Sequence, residues 1–164
     1  MESVSVLVSS DAFKAAMKRF ATGVAVVTTT AESRIHGFTA NAFASVSADP
    51  PTVLICVNRS ARAHPLISAS QRFCVNILAL EQRALAEQFA DGEPQTRFDG
   101  VAYRFGPSGS PILAGTLAYV DCTLGEELTA GTHTIFLGNV IEAGERDGAP
   151  LGYYDRRYRN FGER

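Results

Sequence analysis

Residues 37–51 read GFTANAFASVSADPP, and the reading of this stretch decides the fold. Thr39, Asn41, Phe43, Ser45 and Ser47 alternate with Phe38, Ala40, Ala42, Ala44 and Val46. Successive side chains of a strand point to opposite faces, so the pattern predicts one strand with a largely hydroxyl- and amide-bearing face and a small apolar face. The polar face can hydrogen-bond a ligand or meet water. The apolar face suits a barrel interior, or the close approach of a flat ligand to the backbone. Pro50 and Pro51 end the run, because proline brings no N–H to a ladder.

Upstream, VAVVTTT over residues 24–30 is β-branched and predicts a strand that turns through residues 31–34 into the 37–51 stretch as a hairpin. Residues 10–22 predict a helix with Ser10 as N-cap, a core stripe of Phe13, Ala16, Met17 and Phe20, and Gly23 just past its end. Downstream, TVLICV over residues 52–57 predicts a strand buried on both faces. Pro65 suits the first turn of a short helix over residues 65–70. Its free N–H groups, with Asn58, Arg59 and Ser60 nearby, could receive an anion or simply be capped.

Residues 73–78 predict another strand, and residues 81–90 a helix with Leu85 and Phe89 turned inward. Residues 91–100 form a loop whose Phe98 is either a lid or an anchor. Strand character returns over residues 101–106, 116–124 and 133–142. Six or seven strands, few helices and short connections predict a mainly β fold, an antiparallel barrel with helices capping its ends. Residues 1–164 fit one domain.

A net charge of −2 provides no field for nucleic acid or anionic lipid. The Tyr- and Arg-rich run LGYYDRRYRNFGER, of a kind that can stack on single strands, is too short to reverse that expectation. The N-terminus carries Glu2 and an SVSVLV run without basic residues, and no apolar stretch approaches a membrane span. Cys56, Cys74 and Cys122, odd in number and widely spaced, read as buried free thiols. The expectation is a soluble cytoplasmic protein.

Familiar catalytic templates are missing: no G-x-S-x-G elbow, no phosphate-binding P-loop, no G-x-G-x-x-G after a first strand. His36, His64 and His133 are isolated, so no metal site is expected. His133 follows Gly131 and Thr132 at the start of an apolar strand, where a barrel rim would place it.

The segments FATGVAVVTT, GFTANAFASVSADPP, LICVNRSARAHPLI, FCVNIL, GTHTIFLGNV and PLGYYDRRY, in this order, resemble the short-chain flavin reductases, the reductase components of two-component flavin-dependent monooxygenases. The resemblance runs from about Phe13 to Tyr158. It implies an FMN-binding split β-barrel, usually a homodimer, that passes hydride from NADH or NADPH to FMN or FAD and supplies reduced flavin to a separate oxygenase. It implies Thr39, Ala40 and Asn41 at the polar edge of the flavin ring, and Ser45, Val46 and Ser47 toward the ribityl chain and phosphate. Asn58 and Ser60 would complete the anion end. A straight strand of eight residues spans ~26 Å, so Thr39 and Ser47 reach one ligand only if it is long or the strand bends.

By the same resemblance, His133 is the catalytic histidine beside the nicotinamide, with Tyr154 and Arg157 close to that pocket. The family's usual Gly-Asp-His is here Gly-Thr-His, with Thr132 in place of the acid. Two other activities are compatible with the fold. One is a flavoprotein reductase of another acceptor, such as a cobalt corrinoid; the other is a non-enzymatic flavin- or haem-binding module.

Overall fold

The computed structural model describes residues 7–162, so Glu2 and residues 3–6 of the SVSVLV run lie outside the described residues. Helix α1 (Ser10–Met17) leads to β1 (Thr22–Gly23), β2 (Ala25–Ala31), β3 (Arg34–Ala40), β4 (Phe43–Ala48) and β5 (Pro51–Asn58). Then come α2 (Ala63–Ser70), β6 (Arg72–Ile77), α3 (Arg83–Asp91), β7 (Tyr103–Phe105) and β8 (Pro111–Leu113). The long strands β9 (Ala118–Ala130) and β10 (His133–Glu145) follow, and then a hairpin of β11 (Leu151–Tyr154) and β12 (Arg157–Asn160).

The main sheet has seven strands in the order β3-β2-β6-β9-β10-β5-β4, every pair antiparallel. Its two outermost strands, β3 and β4, are consecutive in the chain, joined only by Asn41 and Ala42. In a flat sheet with strands ~4.8 Å apart they would stand ~29 Å from each other, whereas three Cα steps reach at most ~11 Å. The sheet therefore curls until its edges almost meet. It is a split barrel, and the split lies between β3 and β4.

The 37–51 stretch is thus two strands rather than one. The chain leaves the β2 ladder at Ala40, Phe43 N–H donates to the Asn41 carbonyl, and Cys56 N–H donates to the Ala42 carbonyl, which starts the β5 ladder. A bulge at Val46, between Ser45 opposite Val53 and Ser47 opposite Thr52, breaks the alternation again. Both faces of β4 beyond Phe43 are exposed.

The barrel core holds Val27, Ile55, Phe73, Cys122 and Phe136. A second cluster, Val26, Leu78, Ala86, Phe89 and Leu151, lies on the other face of β2, under α3 and β11. Strand β2 is buried on both faces because it separates the two clusters. Strand β5, expected to be so, is not: Val53, Ile55 and Val57 are buried, while Thr52, Leu54 and Cys56 are only half-buried on the far side.

The first helix differs from expectation. It spans eight residues, its N-cap is Ser9, whose hydroxyl accepts from Ala12 N–H at 3.2 Å, and Gly23 lies in β1. Its stripe is not core. No residue of α1 is buried, and Phe13, Met17 and, just beyond it, Phe20 are 58, 46 and 69 % exposed. Periodicity shows that a face needs covering; among the described residues nothing covers it. At the C-terminal side, Lys18 and Arg19 hold Asp155 of the β11–β12 turn at 3.7 Å each. Among the described residues no helix is long and apolar enough to cross a membrane.

Candidate functional site: the cleft at the barrel split

A cleft of about 1400 Å³ follows the split. Pockets for small molecules usually measure ~300–1,000 Å³, so this one has room for a nucleotide-sized ligand or for two ligands together. One wall is residues 33–42 without a gap. Side chains of both parities cannot share one face of a strand, so the cleft meets β3 along its edge. This is the edge without a sheet neighbour, where alternate backbone N–H and C=O groups are unpaired within the sheet. The alternation of polar side chains on one face marked the stretch, but the face is not what lines the cleft.

Across from β3, one end is built by Cys56, Val57 and Asn58 of β5 and the start of α2. The other end is aromatic. Phe89, Phe98, Tyr103 and Phe105 form a row of edge-to-face contacts with centroids 4.9, 5.6 and 5.6 Å apart. The row climbs from fully buried Phe89 to Tyr103, 39 % exposed, and Phe105, 56 % exposed. Phe98 is therefore an anchor within a wall. Gly37 is required where this wall touches β3, since a Cβ there would stand 2.6 Å from Phe89 Cε1.

Three guanidinium groups, Arg34, Arg62 and Arg97, line the cleft, and none forms an ion pair among the described residues. Arg97 is fixed by donating from Nε to the Gly92 carbonyl at 2.9 Å and from Nη1 to the Gly37 carbonyl at 2.9 Å. Burial, then the nearby charge of Arg62, lowers its proton affinity, against smaller opposing effects of Glu93 and Asp91. Burial likewise lowers the pKa of His36, leaving a neutral imidazole in the cleft at pH 7. A smaller cavity of about 460 Å³ beyond Tyr103 differs in this respect: its Arg104 and Arg146 are paired with Glu142 and Glu81.

The structure brings some of the predicted site residues together and separates others. Thr39, Ala40, Asn41 and Asn58 all line the cleft. Thr39 does not have a free hydrogen, since its hydroxyl donates to the Ala86 carbonyl at 2.6 Å. Asn41 is exposed to the cleft. Asn58 Oδ1 accepts both Ser60 N–H and Ser60 O–H, at 2.9 and 2.8 Å, which leaves the Asn58 amide N–H groups to donate. Ser60 therefore shapes Asn58 and stands just outside the lining.

Ser45, Val46 and Ser47 lie outside the cleft, on the exposed edge strand. Ser47 is level with Thr52, six residues along β5 from Asn58, or ~20 Å of strand. One phosphate cannot touch both. His133 stands directly across the ladder from Asn58, exposed at the barrel rim, with Nδ1 2.9 Å from Thr132 Oγ1. Thr132 thus occupies the hydrogen-bonding place beside the imidazole. Tyr154 and Arg157 pair with each other across the β11–β12 turn, near α1 and away from the cleft. Among the described residues no group of three His, Cys, Asp or Glu side chains is placed to hold a metal.

Cys74 and Cys122 are buried free thiols, and burial pushes Cys122 up to about 12. Cys56 is the exception to the expected burial: half-buried, it lines the cleft. Arg34, Arg62, the aromatic row and the open edge of β3 escaped the sequence reading, because they come from separate segments that only the sheet order brings together.

An open barrel edge, amide side chains and guanidinium groups without ion pairs among the described residues thus stand along one long cleft. The model of the flavin reductase like domain matches residues 17–162, and the chain belongs to that family. It is 40 % identical over 148 residues to the FMN reductase (NADH) RutF of Stutzerimonas stutzeri, covering 89 % of this chain and 85 % of that one. It is 37 % identical over 147 residues to the flavin-dependent monooxygenase reductase subunit HsaB of Rhodococcus jostii, covering 89 and 75 %. The solved structure of the Streptomyces globisporus NADH:FAD oxidoreductase SgcE6, in complex with NAD and FAD fragments, superposes with a TM-score of 0.87 at 37 % identity, covering 96 and 98 % of the two chains.

Proposed function

We propose that the cleft at the barrel split is where this chain seats flavin and receives the nicotinamide. The chain is a flavin reductase, an oxidoreductase that uses NADH and flavin and whose relatives serve two-component monooxygenases. The observation that carries the assignment of the site is the long cleft along the unpaired edge of β3, with the Asn41 and Asn58 amides at one end and unpaired guanidiniums beyond them. These residues fit flavin: a thin planar ring matches a strand edge, and its polar rim matches alternating backbone donors and acceptors.

Bound flavin supplies the redox chemistry, accepting hydride from the reduced nicotinamide. The protein contributes position and charge. Backbone groups of Thr39–Asn41 and the amides of Asn41 and Asn58 hold the polar edge and stabilise negative charge that develops there. Thr39 acts as an acceptor, because its hydrogen is committed to Ala86. Arg62 and Arg97 take the anionic tail. His133, steadied by Thr132, orients the nicotinamide at the rim; hydride transfer asks no proton of it.

Ser45, Val46, Ser47, Tyr154 and Arg157 enter this reading through a homodimer. The bare apolar residues Phe13, Met17 and Phe20 and the unpaired β4 edge are the surfaces a second copy would cover. The whole chain serves as one reductase domain, its reduced flavin goes to a separate oxygenase, and three unpaired thiols suit the cytoplasm. The test is to mix the purified protein with NADH and FMN, then FAD, under nitrogen. Catalytic bleaching of the flavin absorbance is expected; no turnover with either flavin and either nicotinamide would sink the reading.

A further inference from the structure

The turn from β5 into α2 brings Asn58, Ala61, Arg62 and Ala63 to the cleft, while His64 is not among the lining residues. Helix α2 does not fix this turn by capping: Arg62 stands at the cap position without a side-chain capping bond, and Pro65 brings no N–H to the first turn. Two bonds hold the turn to itself, Ala61 N–H donating to the Asn58 carbonyl at 2.9 Å and His64 N–H to the Ala61 carbonyl at 3.1 Å. Two others tie it to the barrel. Arg59 N–H donates to the Thr132 carbonyl at 2.9 Å, and His64 Nε2 lies 2.8 Å from Thr134 Oγ1.

The two anchors flank His133. Successive side chains of β10 face opposite ways, so Thr134 turns inward and is buried, while His133 stays exposed across the ladder from Asn58. His64 reaches Thr134 from behind that pair, and its ring also packs on the fully buried Phe136, with centroids 5.3 Å apart and planes tilted by 55°. The strands do not need this bond, since the ladder already joins β5 to β10 from Asn58 opposite His133 to Thr52 opposite Asn139. What the bond adds is the position of the turn relative to the ladder. Ser60, within the turn, then sets the Asn58 amide through its two bonds to Oδ1.

We propose that His64 is a positioning residue for the reductase reaction: locked to Thr134 behind His133, it fixes the turn that presents Asn58 and Arg62 to the flavin. The inference rests on the flavin seat proposed above, because a ligand held by Asn58 and Arg62 is what registers a shift of their turn. A group misplaced by ~1 Å can cost ~100-fold in rate, so a loosened turn is felt without any contact between His64 and a substrate.

The test measures FMN affinity of the flavin-free protein, NADH:FMN turnover and Tm on the same samples, for wild type, His64→Ala, His64→Gln, Thr134→Val and the double variant His64→Ala/Thr134→Val. Ser68→Ala is the control: it removes another tie of α2, the 2.7 Å bond to Glu127, from a residue outside the cleft lining. His64→Ala and Thr134→Val are each expected to weaken FMN about tenfold and to lower kcat/KM for FMN by the same factor, with the control within about twofold of wild type. The double variant should be no worse than the weaker single one, because both remove one interaction. His64→Gln should restore most of the affinity, since its amide can donate or accept near the place of Nε2. A purely structural role would lower Tm in His64→Ala and leave FMN binding by the folded protein unchanged; that result overturns the proposal. So does a failure of His64→Gln to rescue, or losses that multiply in the double variant. Asn58→Ala separates the two readings. Unchanged FMN binding there takes down the flavin seat and this proposal together, whereas a loss there with none in His64→Ala strikes the role of His64 alone. If His64→Ala does not fold, Thr134→Val, which keeps the branched shape, decides.

Discussion

Replacing Gly37 by alanine tests the contact on which the cleft is built. The added Cβ would lie 2.6 Å from Phe89 Cε1, 2.9 Å from Phe89 Cδ1 and 3.3 Å from Phe98 Cζ. Carbon atoms prefer ~3.5–4.0 Å, so the nearest contact is short by about 1 Å. Phe89 cannot swing away, since it is fully buried with Val26, Leu78 and Leu151. Its ring must push on Phe98, and Phe98 on Tyr103, or the β3 edge must lift. Overpacking of this kind costs ~1–3 kcal/mol. For a domain of this size that lowers Tm by roughly 2–4 °C per kcal/mol.

The assay is thermal and urea unfolding of Gly37→Ala beside Gly23→Ala, whose Cβ would meet nothing within 4 Å. The control is expected within about ±0.5 kcal/mol of wild type. Equal stability of the two variants would refute the packing of the aromatic row against β3, and with it the shape of the cleft.

Two further outcomes follow from side chains around the cleft. In the native protein one of the three thiols, Cys56, is expected to react with an aromatic disulfide reagent, and FMN should slow it, because Cys56 alone lines the cleft while Cys74 and Cys122 are buried. Burial raises the Cys56 pKa, so the thiolate is scarce at neutral pH and the rate should climb as pH rises toward it; a count of two or more fast thiols, or no protection by FMN, contradicts the placement. Asp121→Asn keeps the size of the buried side chain but sets an amide N–H₂ against Ser108 donors, and a stability loss of about 1–3 kcal/mol is expected in urea titrations. An unchanged midpoint there would mean that Asp121 does not fasten the turn between β7 and β8.

Much of the barrel was legible in the sequence. Strands β2, β5 and β6 carry β-branched, apolar runs that differ from the predicted bounds by a residue or so, and α3 keeps Phe89 inward as its periodicity requires. Two physical facts hid the rest. A period-two pattern gives the faces of a strand but is silent about its edges, so residues 37–51 looked continuous although Asn41 and Ala42 carry the chain from one edge of the sheet to the other. An amphipathic pattern reports that a surface wants burial without naming the partner, and so the α1 stripe was read as core although Phe13 and Met17 are exposed in this chain. Asn41 and Asn58, both singled out in the sequence, line the same cleft. Arg34, Arg62 and Arg97 come from three segments whose meeting no local pattern announces.

The split between β3 and β4 also bears on how such a protein can change over generations. Where the cleft meets a strand edge, its donors and acceptors are peptide groups, and every residue type but one carries both. Apart from Gly37, Thr39 and Asn41, residues 33–42 could be largely relettered by mutation while the backbone hydrogen bonds offered along the edge stay in place. Proline, with no N–H and a fixed φ, is the letter such drift would have to avoid.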